Sequence, residues 1–229
     1  MQPSTHTDGI RRMSTGRPAN VSRTSAVDAE PLGQSMQLMG VMMTYPRNTE
    51  IFGENEPADY LYKVVSGSVR TYKILSDGRR QVGGFYLPGD IFGLEFADEH
   101  TLSAEAISDT KVLVVKRSAL NALAGRDASV AQQLFALTGR ELHRVQDRVL
   151  LLIKSAQERV ASFLLEMAER AAQNNTIDLP MSRQDIADYL GLTIETVSRT
   201  LTSLETASAI EVSTSSRRIV LRNRAALAG

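Results

Sequence analysis

The chain has 229 residues, of which 42% are hydrophobic and 23% are charged, and its 26 lysines and arginines balance 26 acidic residues. This is the composition of an ordinary globular protein, and a nucleic-acid binder with so little net charge would need a local basic patch. Cysteine is absent, which excludes disulfides, thiolate zinc sites, cysteine-held iron–sulfur clusters and thiol nucleophiles.

Residues 1–35 are rich in Ser, Thr, Gly, Pro and Arg and contain no aromatic residue. Such a segment cannot bury enough apolar area to offset the entropy lost on ordering, so we predict a mobile N-terminal arm. No window of the sequence approaches the roughly 18 consecutive apolar residues of a membrane span. The N-terminus also lacks the apolar run of a secretory signal. We therefore expect a cytoplasmic protein without a membrane partner.

Residues 36–118 have the pattern of an antiparallel β-domain. Most of the chain's aromatic residues lie between Tyr45 and Phe96, where β-prone runs alternate with glycine-bearing turns. The runs cover residues 61–65, 69–75, 82–87 and 110–115. Short strands separated by such turns predict an antiparallel sandwich or barrel.

Residues 119–155 are predicted to form a linker and a long helix. From Ala128 to Lys154 the apolar residues recur at alternating spacings of four and three, the a/d pattern of a coiled coil. A helix packed only on its own domain remains possible, but we favour a dimerisation helix, because the pattern changes at Ser155 and the helix connects two regions. The apolar residues that form this seam are Leu142, Val145, Val149 and Leu152.

Residues 156–229 contain the pattern of a helix-turn-helix followed by a hairpin. Ser182 can cap a short helix together with Asp185, and Gly191 suits the left-handed conformation that ends a helix. Thr193 can cap a second helix with its own buried apolar face. This arrangement predicts a helix-turn-helix, and the alternation over 209–221 predicts a hairpin with a Ser-rich turn at 213–216.

The exposed face of the second helix carries side chains suited to base contacts. Glu195, Ser198 and Arg199 project together, at i, i+3 and i+4. Arg can donate two hydrogen bonds to guanine and Glu can accept one from cytosine, so the pair fits a G·C base pair. A solvent-exposed Glu–Arg pair without function is the simpler alternative. The polar and basic residues around the two helix starts and the hairpin turn are candidate phosphate ligands; they are Ser182, Thr193, Thr196, Arg217 and Arg218.

The run DIADYLGLTIETVSRTLTSLE closely resembles the recognition motif of the CRP/FNR family of bacterial transcription regulators, and its E-x-x-S-R arrangement resembles the FNR/FixK branch. The resemblance covers most of the chain from about residue 36. It implies an α+β fold with an N-terminal antiparallel β-roll like cyclic-nucleotide-binding domains, a long dimerisation helix and a C-terminal winged helix-turn-helix.

The resemblance also implies partners and a function. In the family, the residues matching Glu195, Ser198 and Arg199 contact inverted TTGA…TCAA half-sites in double-stranded DNA. A homodimer that activates transcription through RNA polymerase is implied, with target genes of low-oxygen respiration or nitrogen fixation. The same family includes proteins that need an effector in the β-roll, so a ligand- or haem-gated sensor is the alternative.

Departures from the family motifs argue against cyclic AMP. Cyclic-AMP-binding members carry Arg-Ser-Ala in the phosphate cassette, where this chain has Leu102-Ser103-Ala104. Without that arginine, a buried cyclic phosphate would keep an uncompensated charge. Glu95 remains where the family binds ribose, but a single carboxylate is a weak signal. We therefore expect no cofactor.

Haem ligation and enzymatic catalysis find little support in the sequence. A haem would need axial ligands, whereas His6, His100 and His143 are scattered singly and are expected to be surface histidines. Asp98 and Glu99 beside His100 are expected to form an acidic loop rather than an acid–base cluster. The chain has no P-loop, GxSxG or HExxH motif, so we expect neither a metal nor an active site.

Overall fold

The computed structural model describes residues 31–95, 97–171, 175–213 and 217–228. Most of the predicted arm and most of the Ser-rich turn, as well as His6, therefore lie outside the described residues. Residues 31–35 correct the predicted extent of the arm, because they belong to helix α1 (Pro31–Met39). Leu32 and Met36 are buried there, against β-strand and helix residues that are distant in the sequence.

Two four-stranded antiparallel sheets form the N-terminal domain, as predicted for residues 36–118. Their orders are β1-β8-β3-β6 and β2-β7-β4-β5. The strands are β1 (Val41–Tyr45), β2 (Glu50–Phe52), β3 (Tyr60–Ser66), β4 (Val69–Ile74), β5 (Arg80–Tyr86), β6 (Ile91–Phe92), β7 (Ser103–Ala106) and β8 (Thr110–Lys116). The four predicted runs correspond to β3, β4, β5 and β8, whereas the other four strands were not predicted.

Aromatic packing fills the space between the sheets. Phe52, Tyr62 and Phe92 pack with ring centroids 5.1 to 6.1 Å apart. His100 corrects the expectation of a surface histidine: its side chain is buried and stacks on Phe52 with centroids 3.6 Å apart. His143, by contrast, is exposed as expected.

Two helices follow the sheets, α2 (Arg117–Ala124) and α3 (Ala128–Leu151). Asp127 caps α3 by accepting a hydrogen bond from the backbone N–H of Ser129. The predicted helix extended to Lys154, but α3 ends three residues earlier. Leu152 therefore lies just beyond the helix, although its backbone angles are still helical. Within the described residues, no helix is long and apolar enough to cross a bilayer.

The C-terminal domain combines helices with a small sheet. Its elements are α4 (Ala156–Ala171), β9 (Thr176–Asp178), α5 (Arg183–Leu190), α6 (Ile194–Thr206), β10 (Ile210–Val212), β11 (Arg218–Leu221) and α7 (Arg224–Ala228). The predicted hairpin is β10–β11, and β9 adds a third strand on the other side of β11, which was not predicted.

The two domains share one apolar cluster. Phe85 of the β-roll lies 5.1 Å from the ring of Tyr189 and 6.2 Å from that of Phe163, measured between centroids. Arg170 of α4 adds a polar link, since it donates hydrogen bonds to the Asp90 carboxylate (2.6 Å) and the Phe85 carbonyl (2.7 Å). The β-roll therefore packs directly against the C-terminal domain.

Candidate nucleic-acid interface

The first helix of the predicted helix-turn-helix, α5, begins with the predicted cap. The Ser182 hydroxyl oxygen accepts a hydrogen bond from the backbone N–H of Asp185, and the Asp185 carboxylate accepts one from the backbone N–H of Ser182. The helix ends at Gly191, whose φ of 64° is in the left-handed region that favours glycine. The helix start predicted at Ser182 and the helix end predicted at Gly191 are thus confirmed.

The second helix, α6, is fixed by a cap and by its apolar face. The Thr193 hydroxyl oxygen accepts a hydrogen bond from the backbone N–H of Thr196 at 3.2 Å. The apolar face is buried, as predicted, and packs on α4 and α5; it consists of Val197, Leu201 and Leu204. Since burial fixes the rotation of the helix about its axis, it also fixes which side chains face solvent.

The predicted base-contacting residues lie on the solvent face of α6. Glu195 and Arg199 are exposed and Ser198 is half-buried. The Arg199 Nε donates to the backbone carbonyl of Glu195 rather than to its carboxylate. The pKa of Glu195 is lowered by a hydrogen bond from its own backbone N–H, then by Thr193 and by the nearby charge of Arg199. The carboxylate is thus ionised near neutral pH and can accept hydrogen bonds.

Arg183 is a residue of this surface that sequence analysis missed. Its Nη1 donates a hydrogen bond to the Ser198 hydroxyl oxygen at 3.2 Å, which links the start of α5 to the exposed face of α6. The bond occupies an acceptor of Ser198 but leaves its hydroxyl hydrogen free to donate. The only sequence signal was a basic residue directly after the Ser182 cap.

The predicted phosphate ligands lie at the starts of α5 and α6 and at the start of β11. Ser182 and Thr193 are exposed at the starts of α5 and α6, and Thr196 is half-buried beside Thr193. Arg217 and Arg218 are exposed at the start of β11, and Arg218 pairs with Asp178 at 3.1 Å. The ion pair is exposed, so it contributes little stability and does not prevent Arg218 from contacting a phosphate.

The predicted seam of α3 forms an exposed apolar stripe on the protomer. Leu142, Val145, Val149 and Leu152 are 48 to 66% exposed. Phe135 continues the stripe one step towards the N-terminus and is 82% exposed. Sequence analysis missed it, although its spacing of seven residues from Leu142 fits the same heptad pattern. A contiguous apolar stripe of this length marks an interaction surface.

The β-roll contains a cavity of about 140 Å³ where the resemblance places the cyclic-nucleotide site. Leu102 lines this cavity and packs closely against Gly83. A Cβ added to Gly83 would lie only 2.5 Å from Cδ1 of Leu102. Two carboxylates, Glu95 and Glu141, also line the cavity. Ligand pockets usually exceed roughly 300 Å³, so this space is small as well as acidic.

Comparison with known proteins gives the family. Residues 42–127 match the cyclic nucleotide-binding domain model and residues 158–229 match the Crp-like helix-turn-helix domain model. The nitrogen fixation regulation protein FixK of Azorhizobium caulinodans is 49% identical, over 94% of this chain and 89% of that protein. The chain belongs to the CRP/FNR family. The protein of the same name from Rhizobium meliloti is 40% identical, over 82% of this chain and 87% of that protein.

A solved structure supports the same assignment to the FNR/FixK branch. The structure of FixK2 from Bradyrhizobium japonicum superposes with a TM-score of 0.79 at 55% identity, covering 82% of this chain and 96% of that chain. The predicted fold class is therefore confirmed, and the chain is a DNA-binding transcription regulator of the CRP/FNR type rather than an enzyme.

Proposed function

We propose that this CRP/FNR-family protein binds TTGA…TCAA inverted repeats as a homodimer, without cyclic AMP, and activates transcription through RNA polymerase. The observation that carries the proposal is the exposure of Glu195 and Arg199 together on the solvent face of α6. An arginine that donates to guanine and a carboxylate that accepts from cytosine match the single G·C pair of each half-site.

The apolar stripe on α3 supports the homodimer. Side chains at a/d spacing that stay half-exposed on the protomer are the expected seam of a two-stranded coiled coil. A twofold axis along Leu142, Val145, Val149 and Leu152 would place two copies of α6 about 34 Å apart, one turn of DNA. Half-sites centred about ten base pairs apart have a spacer of about six base pairs.

Phosphate contacts would fix the register of α6 in the major groove. We assign this role to the residues at the starts of α5, α6 and β11, because four of them are exposed and Thr196 is half-buried beside Thr193; they are Ser182, Thr193, Thr196, Arg217 and Arg218. The names of the relatives favour genes of nitrogen fixation as targets, and the resemblance to the FNR/FixK branch adds genes of low-oxygen respiration. A bacterial regulator with this function would act in the cytoplasm.

Independence from cyclic AMP follows from the cavity in the β-roll. Leu102 fills the position of the phosphate-pairing arginine, so a cyclic phosphate in this cavity would have no arginine to compensate its charge. The sensor alternative would need an effector of different chemistry. Nothing in this small acidic space favours a haem or an anionic ligand.

In vitro transcription tests the proposal. Purified protein and RNA polymerase are incubated with a template carrying TTGA…TCAA upstream of a promoter, and with a matched template in which both G·C pairs are inverted. We expect activation on the first template only, and no change on adding cyclic AMP. Activation that requires cyclic AMP would refute the ligand-independent function, and equal activity on both templates would refute the sequence recognition.

A further inference from the structure

The β4–β5 hairpin of the β-roll is connected by charged side chains to α5, the first helix of the helix-turn-helix. Arg70 Nη1 and Arg80 Nη2 lie 2.8 and 2.7 Å from the same carboxylate oxygen of Asp185. Arg80 also donates from Nε to Asp188, one turn further along α5, at 2.8 Å. Two arginines from one domain thus hold two carboxylates of the other.

Asp185 joins this network to the start of the helix. Its second carboxylate oxygen accepts hydrogen bonds from the backbone N–H and the hydroxyl of Ser182, at 2.9 and 2.7 Å. Arg70 in turn is held by Glu105 at 2.9 Å. The side chains of Asp185 and Arg70 are only 4% and 10% exposed, so their charges are largely removed from water. A pair of this kind is directional, since each donor meets its acceptor in one geometry.

Other contacts make the same interface specific. Gln81 of β5 donates from Nε2 to the backbone carbonyl of Asp188 at 2.6 Å, so it also contacts the main chain of α5. The helix α6 packs on α4, α5 and β10 and leaves Glu195 and Arg199 exposed. The docking of α5 on the β-roll therefore leaves the base-contacting face free, as expected of an arrangement competent to bind DNA.

We propose that Arg70 and Arg80 are positioning residues for DNA recognition, which fix the orientation of α5, and with it α6, relative to the dimerisation helix. The proposal rests on the proposed function. Only four residues, 152–155, separate α3 from α4, and they form no long element that could fix this orientation by itself. The apolar cluster around Phe85 and the Arg170 link hold the two domains together, and the charged network adds a directional constraint at α5 from the side of the β-roll.

The consequence is a requirement for one half-site spacing. Adding or removing one base pair shifts a half-site by about 3.4 Å and rotates it by about 35°. Two recognition helices held rigidly cannot follow that change, whereas helices on loosely docked domains can. Weakening the network should therefore reduce the discrimination between spacers more than it reduces the affinity for a single half-site.

The test uses the full-length protein and reversal of the charges. Arg80→Glu and Asp188→Arg each break the pair, and the double variant restores opposite charges across the interface. Arg79→Glu is the matched control, because Arg79 is a neighbouring, exposed arginine that pairs with Asp77 in its own turn. Binding is measured by fluorescence anisotropy to TTGA…TCAA duplexes with spacers of about five, six and seven base pairs, and to a duplex with a single TTGA half-site. Thermal unfolding confirms that each variant is folded.

We expect the wild type and Arg79→Glu to bind most tightly to the duplex with the spacer of about six base pairs. In each single reversal variant, the ratio of this affinity to the affinities for the other two spacers should be smaller by about tenfold. The double variant should recover part of this preference, because the pair between residues 80 and 188 is restored while a glutamate at position 80 still faces Asp185. Unchanged spacer preference in Arg80→Glu, tighter binding by that variant, or no recovery in the double variant would each overturn the proposal. If a reversal variant does not fold, Arg80→Gln, Asp188→Asn and their combination provide the same cycle without reversing a charge.

A base-swapped duplex separates this proposal from the proposed function. If the wild type binds it as tightly as TTGA…TCAA, the sequence recognition itself is wrong and the spacing argument fails with it. If the wild type is selective for bases but the variants keep its spacer preference, only the positioning role is wrong.

Discussion

Replacing Leu142 by aspartate should dissociate the proposed homodimer. Leu142 is 58% exposed on the protomer and lies in the middle of the apolar stripe. Full burial of a leucine side chain contributes about 1.5–3 kcal/mol, so burying its exposed part in an interface would contribute about 1–2 kcal/mol. A twofold axis doubles this to about 2–4 kcal/mol, because each protomer supplies one copy.

Aspartate adds a second, electrostatic cost. Two carboxylates across the axis repel each other by about 1 kcal/mol even in a water-like dielectric, and by more when water is excluded. The total loss of about 4 kcal/mol corresponds to an increase of roughly a thousandfold in the dimer dissociation constant. Leu142 is half-exposed in the protomer, so the protomer itself should stay folded.

Sedimentation velocity at micromolar protein measures the association, and circular dichroism checks the fold. We expect a monomer for Leu142→Asp and a dimer for the wild type, with a parallel loss of affinity for the two-half-site duplex. Ala136→Asp is the matched control, because Ala136 is exposed in the same helix but about 120° around its axis from Leu142. A Leu142→Asp protein that remains dimeric, or a monomer with full affinity, would refute the reasoning.

Three further predictions concern single side chains. Arg199→Ala should cost about 1–3 kcal/mol per half-site and remove selection at the G·C pair in competition binding, whereas an equal loss on random DNA would contradict direct base contact. Burial lowers the pKa of His100, so below about pH 6.5 the unfolded state takes up protons that the folded state resists. The free energy of unfolding in urea should therefore fall from pH 7.5 to 5.5, and His100→Phe should reduce this fall; an unchanged pH dependence would contradict it. Gly191→Ala forces an alanine into the left-handed backbone conformation and should lower the melting temperature through about 1–2 kcal/mol of strain. Gly139→Ala is the control, because a Cβ at Gly139 in α3 would meet no atom within 4 Å, and it should not lower the melting temperature. A Gly191→Ala protein that melts at the same temperature as the wild type would refute the strain argument.

The helix-turn-helix could be predicted because its signals are local. The cap at Ser182, the left-handed Gly191 and the buried apolar face of α6 all act within a few residues, and each was found as predicted. The a/d stripe was predictable for the same reason. Its length was not: α3 ends before Leu152, and Phe135 extends the stripe at the other end.

Long-range contacts account for what the sequence did not indicate. Arg70 and Asp185 are 115 residues apart, and nothing near either residue indicates the other. The sequence predicted Asp185 only as part of the helix cap with Ser182, and it indicated no partner for the second carboxylate oxygen of Asp185. His100 looked like part of an acidic loop, but its ring is buried because the loop folds back over Phe52. The helix α1 was not predicted for a similar reason, because Leu32 and Met36 are buried against residues that are distant in the sequence.

Direct binding to DNA without an effector tests the central claim. Fluorescence anisotropy at a fixed, stated salt concentration would compare a labelled TTGA…TCAA duplex with one whose G·C pairs are inverted, with no ligand present. We predict tight binding to the first duplex and binding weaker by at least about tenfold to the second. Weak, unselective binding that becomes selective only on adding a small molecule would contradict the claim.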